Sequence, residues 1–205
     1  NEDSVTVLHV GALTPWVLEW LRIVGVPKRR VATGTLVAKV LMAPEMARCG
    51  SPLGPHIRWL RLNVAKQLGT LNGPMQSRRS LVLVKRTKSR RLRNFEAVNQ
   101  TVQASSNKLG LSVYLHDDSN MPKLQEQLAR FAEASVVVAQ HGAGLLNLIA
   151  VASDTIVVEF IDAARPNVCY ARLSVMQGNS YHAVAYFRRR VDIRMLKMVL
   201  SLVRL

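Results

Sequence analysis

Cysteine is scarce. Cys49 and Cys169 are the only two in 205 residues, which excludes a disulfide scaffold and a cysteine-rich zinc site and leaves at most one bridge within the chain. Acidic residues are also few, 13 against 28 lysines and arginines, so the chain carries a formal charge of +15. A field of that size draws anions. Nucleic acid, an acidic membrane surface and a nucleotide diphosphate all fit the sign. Aromatic residues make up 5%, and none lies between Arg78 and Asn94, which counts against a surface that stacks unpaired bases. Long apolar runs are missing as well. The stretch from Ala134 to Leu148 is broken by Gln140, His141 and Asn147 before it reaches the roughly 18 to 20 apolar residues of a bilayer-spanning helix. No Gly-x-Ser-x-Gly elbow occurs, so the glycines after His141 do not belong to a serine esterase.

What remains, 49% apolar residues, suffices for one large α/β domain with part of a second. Between Leu68 and Arg79 the apolar periodicity stops, and Gly69, Asn72, Gly73 and Pro74 supply turn chemistry, so a linker is expected there. Before it, Val5–Val10 reads as a strand, Pro15–Val24 as a helix, Leu36–Met42 as a buried strand and Pro55–Leu68 as a helix. After it, strands at Ser80–Val84, Leu111–Leu115, Ser135–Ala139, Thr155–Phe160 and Tyr181–Ala185 alternate with helices at Phe95–Leu109, Pro122–Ala132, Leu145–Ala152, Cys169–Gln177 and Ile193–Leu202. This alternation predicts a Rossmann-like parallel sheet with helices on both faces. Runs such as Leu81–Val84 and Val136–Ala139 lack polar alternation, as strands buried on both sides should.

Ligands of such sheets bind beyond the carboxyl ends of the strands. The loop after the first of these strands, Lys85 to Asn94, is dense in Arg and Lys, and no acidic residue occurs from Arg78 through Phe95. Arginine forks match phosphate oxygens. The loop after Ala139 reads Gln140-His141-Gly142-Ala143-Gly144 and runs straight into the apolar Leu145-Leu146-Asn147-Leu148. Small residues at a helix mouth let a phosphate approach unpaired N–H groups, with His141 as a further donor or, alternatively, a packed histidine. Glu159 ends an apolar strand and needs a partner, either ribose hydroxyls or an arginine.

Together these residues resemble the C-terminal catalytic region of glycosyltransferase family 61. The similarity runs through Arg86-Thr87-x-x-Arg90-x-x-x-Asn94, then Gln127, Phe131 and Ala134, then His141-Gly142-Ala143-Gly144-Leu145-x-Asn147, Val157-x-Glu159, Tyr170 and Gly178-x-x-Tyr181. Upstream, Trp20-Leu21 and Val24-Gly25-Val26-Pro27 extend it. Where family members often place Glu directly after the signature Asn, this chain has Phe95 before Glu96. The resemblance implies a GT-B-like pair of lobes, with residues 1–73 as part of the N-terminal, acceptor-side lobe and residues 74–205 as the nucleotide-sugar lobe. It implies inverting transfer from a UDP-sugar to a glycan or glycoprotein, without cofactor or obligatory metal. The sequence carries no Asp-x-Asp pair. Donor contacts are then expected from Arg86, Thr87, Arg90, Asn94, His141, Gly142, Ala143, Gly144, Leu145 and Glu159. Eukaryotic members work in the Golgi or endoplasmic reticulum lumen and bacterial ones at the cytoplasmic face of the membrane. No catalytic base is assigned; Asp3, His9, Glu19, Asp117 and Asp118 are the candidates. A basic nucleic-acid-binding α/β protein and a non-catalytic nucleotide-binding fragment are the competing readings.

Overall fold

The computed structural model describes residues 6–8, 12–40, 42, 53–70 and 78–203. Its centre is a six-stranded sheet. Strands β3 (Ser80–Lys85), β4 (Ser112–Asp117), β5 (Ala134–Gln140), β6 (Ile156–Asp162) and β7 (Ser180–Phe187) run parallel in the order β4-β3-β5-β6-β7, and β8 (Arg190–Val191) adds an antiparallel edge. Every residue of β5 is buried, because helices cover both faces of the sheet.

On one face α3 (Phe95–Leu109) and α6 (Ile193–Ser201) share a core with Leu81, Leu83, Val136 and Val158. Asp192 starts α6 by accepting the Arg194 and Met195 N–H groups, and Gly110, in the left-handed region at φ 67°, ends α3. On the other face lie α4 (Leu124–Ala132), α5 (Cys169–Gln177) and the segment Ala143–Ala150. Two helices of the earlier part of the chain, α1 (Pro15–Ile23) and α2 (Gly54–Leu68), pack onto that layer. Ile23, Val64, Leu124, Leu128 and Ile149 form one buried cluster with Trp20, Ile57 and Leu60 against it. Glu19 on α1 accepts the backbone N–H groups of Leu124 and Gln125, and so caps α4 from another helix. Ahead of α2, β1 (Val7–Leu8) and β2 (Val31–Ala32) pair in parallel across α1, a small βαβ unit.

Two expected elements differ. No strand forms at Leu36–Met42 among the described residues: Val37 is fully exposed, and Val40 and Met42 are each 75% exposed. A strand needs a neighbour with open ladder hydrogen bonds, and β1 and β2 pair only with each other. The helix expected at Leu145–Ala152 is instead a 3₁₀ segment, Ala143–Ala150. Leu145, Leu148 and Val151 recur every third residue, and all three enter the same buried cluster, which suits the eclipsed i, i+3 geometry of a 3₁₀ turn.

Candidate functional site

From β3 the chain crosses outward to β4, then returns over β3 to β5, so the direction of winding reverses between β3 and β5. At such a switch point the loops diverge to opposite faces and leave a crevice beyond the strand ends. Arg86 follows β3, and His141 and Gly142 follow β5, so both charged and glycine-bearing loops open onto that crevice. They touch. Arg86 Nη1 donates to the His141 carbonyl at 3.0 Å, and Nη2 donates to Ser89 Oγ at 2.8 Å. The guanidinium fills the space beside Gly142 where any other residue would place its Cβ. Gly144 in turn lies close to β3, where a Cβ would sit 3.1 Å from Val84.

Gly142→Ala therefore displaces the Arg86 guanidinium and also strains the backbone, because Gly142 sits at φ 158°, a conformation essentially confined to glycine. That strain, about 1 to 3 kcal/mol, should lower the melting temperature of Gly142→Ala by about 2 to 12 °C, read by thermal unfolding.

Behind this contact lies a buried polar cluster. Glu159 is completely enclosed, and its two oxygens meet His141 Nδ1 at 2.6 Å and the Tyr181 hydroxyl at 2.7 Å. Burial pushes the Glu159 carboxyl above its usual range, against the opposing pull of the hydrogen bonds from Tyr181 and His141. Burial, then the bond to Glu159, pushes the Tyr181 phenol far above its ordinary value, so it stays protonated and donates. The Tyr170 ring packs against the imidazole with centroids 5.2 Å apart. With Nδ1 committed to the carboxylate, Nε2 is the ring nitrogen left for a ligand.

The Glycosyltransferase 61 family model matches residues 8–158. The chain belongs to glycosyltransferase family 61. A β-1,2-xylosyltransferase of Oryza sativa subsp. japonica is 39% identical over 61 residues, which cover 30% of this chain and 11% of the rice protein. Among the described residues of this family 61 chain, no group of three or more His, Cys, Asp or Glu side chains could hold a metal ion. No helix among them is long and apolar enough to cross a membrane.

The family's signature residues divide by position. Arg86, His141 and Gly142 converge. Thr87 turns away, its N–H and hydroxyl both donating to Asp118, while Lys85 pairs with Asp117 at 2.8 Å. Lys85 and Ser119 hold Asp117 at a pKa of about 2, so both aspartates serve to anchor the β3 loop to the end of β4. Asn94 is committed elsewhere as well. Its amide donates to the Val191 carbonyl at 2.9 Å, and its oxygen accepts the Val191 N–H at 3.1 Å, which clasps the loop to β8. Arg90 stands exposed on the outside of that loop at φ 58°.

In the glycine loop, Leu145 is a core side chain, and its N–H already bonds the Gly142 carbonyl at 2.9 Å. It has no donor left for an anion. The amides of Gly142, Ala143 and Gly144 carry no hydrogen bond to a protein group among the described residues. Asn147 reaches Gln127 at 3.3 Å and ties the segment to α4. Glu159 corrects the expectation of a ribose contact: both of its oxygens are engaged and none of it is exposed, so its partners are an imidazole and a phenol. Of the base candidates, Glu19 is occupied as a helix cap, and Asp3 and His9, like Cys49, lie outside the described residues.

Sequence reasoning missed His116. It lies beside Val84 in the β3–β4 ladder, is 1% exposed, packs edge-on against Phe131, and has a hydrogen-bond partner at neither ring nitrogen. Burial pushes its pKa below the ordinary 6.5, against the charges of Asp118 and Asp117, which favour the protonated ring. Because the folded state resists protonation, this contribution to stability is complete above the unfolded value and is lost as pH falls through the window beneath it. Glu159, raised by burial, acts in the opposite sense, its contribution fading as pH rises above the carboxyl's ordinary 4.5. His116→Leu should therefore flatten the fall in melting temperature between about pH 7 and pH 5. An unchanged slope would place the acid sensitivity elsewhere.

Proposed function

We propose that this chain forms the nucleotide-sugar side of an inverting glycosyltransferase that moves a sugar from a UDP-sugar to a glycan or glycoprotein. The seating of the Arg86 guanidinium on Gly142, at the crevice between β3 and β5, is the observation that carries the reading. As the bond from the anomeric carbon to the diphosphate breaks, negative charge grows on the phosphate oxygens. A fixed guanidinium, the open amides of Gly142 to Gly144 and the Nε2 of His141 are aimed where that charge appears. Donors already oriented stabilise the transition state more than the ground state. Glu159 fixes the orientation of the imidazole ring, and Tyr181 holds Glu159.

The two-lobed GT-B-like arrangement belongs to the same proposal, with residues 1–73 contributing to the acceptor-side lobe and 74–205 forming the donor lobe. The parallel pairing of β1 with β2 across α1 supports it. A secretory compartment, Golgi or endoplasmic reticulum lumen, belongs to the same proposal for a eukaryotic chain, on the strength of the family. The test is thermal unfolding with UDP, GDP, CMP and their sugar conjugates. Xylose, which the rice relative's name carries, heads the donor series. A ligand at about 100 times its dissociation constant stabilises by roughly 2.7 kcal/mol. Stabilisation by UDP forms is expected; a shift with none of the nucleotides would end the proposal.

A further inference from the structure

The basic character of the site does not stop at Arg86. Along the rest of the loop, Lys88, Arg90, Arg91 and Arg93 are all exposed. Buried Leu92 pins this loop into the core, and the Arg93 N–H donates to the Arg189 carbonyl at 2.8 Å. Through that bond and the Asn94 clasp, the loop abuts the β7–β8 hairpin, whose Arg188, Arg189 and Arg190 are exposed too. None of these seven side chains pairs with a carboxylate among the described residues. The next acid in sequence, Asp192, is spent on capping α6. A fixed cationic crest thus runs from the crevice to the far edge of the sheet.

The tip of the hairpin adds an independent observation. Phe187 pairs with Arg190, which leaves Arg188 and Arg189 as a two-residue loop, and both have positive φ, 48° and 63°. Hairpins of that shape favour Asn-Gly, because ordinary L-residues are strained in the left-handed region. Here two arginines occupy both positions, and the Arg188 guanidinium stacks over the Phe187 ring at 5.3 Å. One ring contact and one backbone hydrogen bond are little return for strain at two exposed positions, which points to what the arginine side chains bind.

We infer that this crest, on the rim of the donor lobe, is an extended subsite for the body of the acceptor, and that the acceptor is an acidic carbohydrate chain bearing carboxylate or sulfate groups. The inference rests on the transferase reading above and deepens it. A chain lying on the crest has one end at Arg86, beside the leaving diphosphate, so its anionic groups set register while a terminal hydroxyl reaches the donor. The crest lacks aromatic residues between Arg78 and Asn94 on which bases would stack, and leaves one exposed aromatic, Phe187, with the Arg188 guanidinium over its ring, too few for a stacking platform.

The test compares wild type with the double variant Arg188→Asn/Arg189→Gly, which restores the favoured turn. Binding of oligogalacturonate, a heparin-derived oligosaccharide and neutral maltohexaose is measured at two salt concentrations, with UDP stabilisation followed in parallel. The acidic oligosaccharides should bind in a salt-sensitive manner and the neutral one should not, and the two acidic arms report which anionic group is preferred. The variant should lose about tenfold in affinity, the scale of two exposed ion pairs, while its melting temperature rises and its response to UDP is unchanged. Equal affinity of variant and wild type for the acidic oligosaccharides overturns the inference. So does tighter binding of single-stranded DNA or phosphatidylserine vesicles than of either acidic oligosaccharide. Loss of the UDP response in wild type strikes the transferase reading instead, and is read separately.

Discussion

Replacing Glu159 by alanine is expected to lower the melting temperature by about 6 to 12 °C, from a loss on the order of 3 kcal/mol in a domain of this size. The carboxylate is fully enclosed and satisfies a phenol and an imidazole at once. Truncation leaves the Tyr181 hydroxyl and the His141 ring nitrogen facing a cavity where water has little access, and an unpaired buried donor costs about 1 to 3 kcal/mol. Glu159→Gln is the companion experiment. Its amide keeps the volume and still accepts from Tyr181, so stability should stay within about 1 kcal/mol of wild type. It removes the carboxylate oxygen that meets His141 Nδ1 at 2.6 Å, and with it the contact that orients the imidazole at the crevice. The glutamine variant should therefore fold normally and transfer sugar poorly. A glutamine variant with full turnover would show that Glu159 serves the fold alone.

Arg86→Ala is the second large effect, and it falls on activity. Loss of one pre-aimed donor to a developing anion costs about 10²- to 10³-fold in rate, or about 2.7 to 4 kcal/mol. The folded state depends on this side chain far less. Its guanidinium bonds one backbone carbonyl and one exposed serine, so thermal unfolding should move by no more than about 2 °C. Steady-state kinetics with the donor found in the nucleotide screen give the measurement, with Arg86→Lys beside it. Lysine restores charge without the fork and should recover only part of the loss. If alanine at 86 leaves kcat/KM within a factor of about two, the guanidinium is not at the diphosphate.

The parallel sheet was legible because β3 and β5 are buried on both faces and carry the apolar runs Leu81–Val84 and Val136–Ala139 with no polar interruption. The convergence of Arg86 with His141 and Gly142 was legible for a related reason: both loops follow strands that end at the same side of the sheet. Other features left no local trace. The β7–β8 hairpin turns through Arg188 and Arg189, which carry none of the Gly or Asn punctuation that marks such turns, and β8 went unseen. Glu159 announced that it needed a partner, but the partner comes from Tyr181 on the neighbouring strand, and cross-strand register is not written in either segment alone. Leu36 to Met42 has strand-like residues and no strand among its described residues, because hydrogen bonding to a neighbour decides the matter.

The loop between Arg86 and Asn94 is fastened at both ends, by Thr87 to Asp118 at one and by Asn94 to Val191 at the other. A guest arriving at Arg86 meets a bridge already in place, not a tether to be drawn in. Little conformational freedom remains to be surrendered on association, so tight capture needs few contacts. The same stiffness separates residues within the span. Exchanges at Lys88 or Arg91 alter the charge offered to solvent without shifting Arg86, and a lineage could retune what it recognises there while leaving the chemistry of the crevice intact.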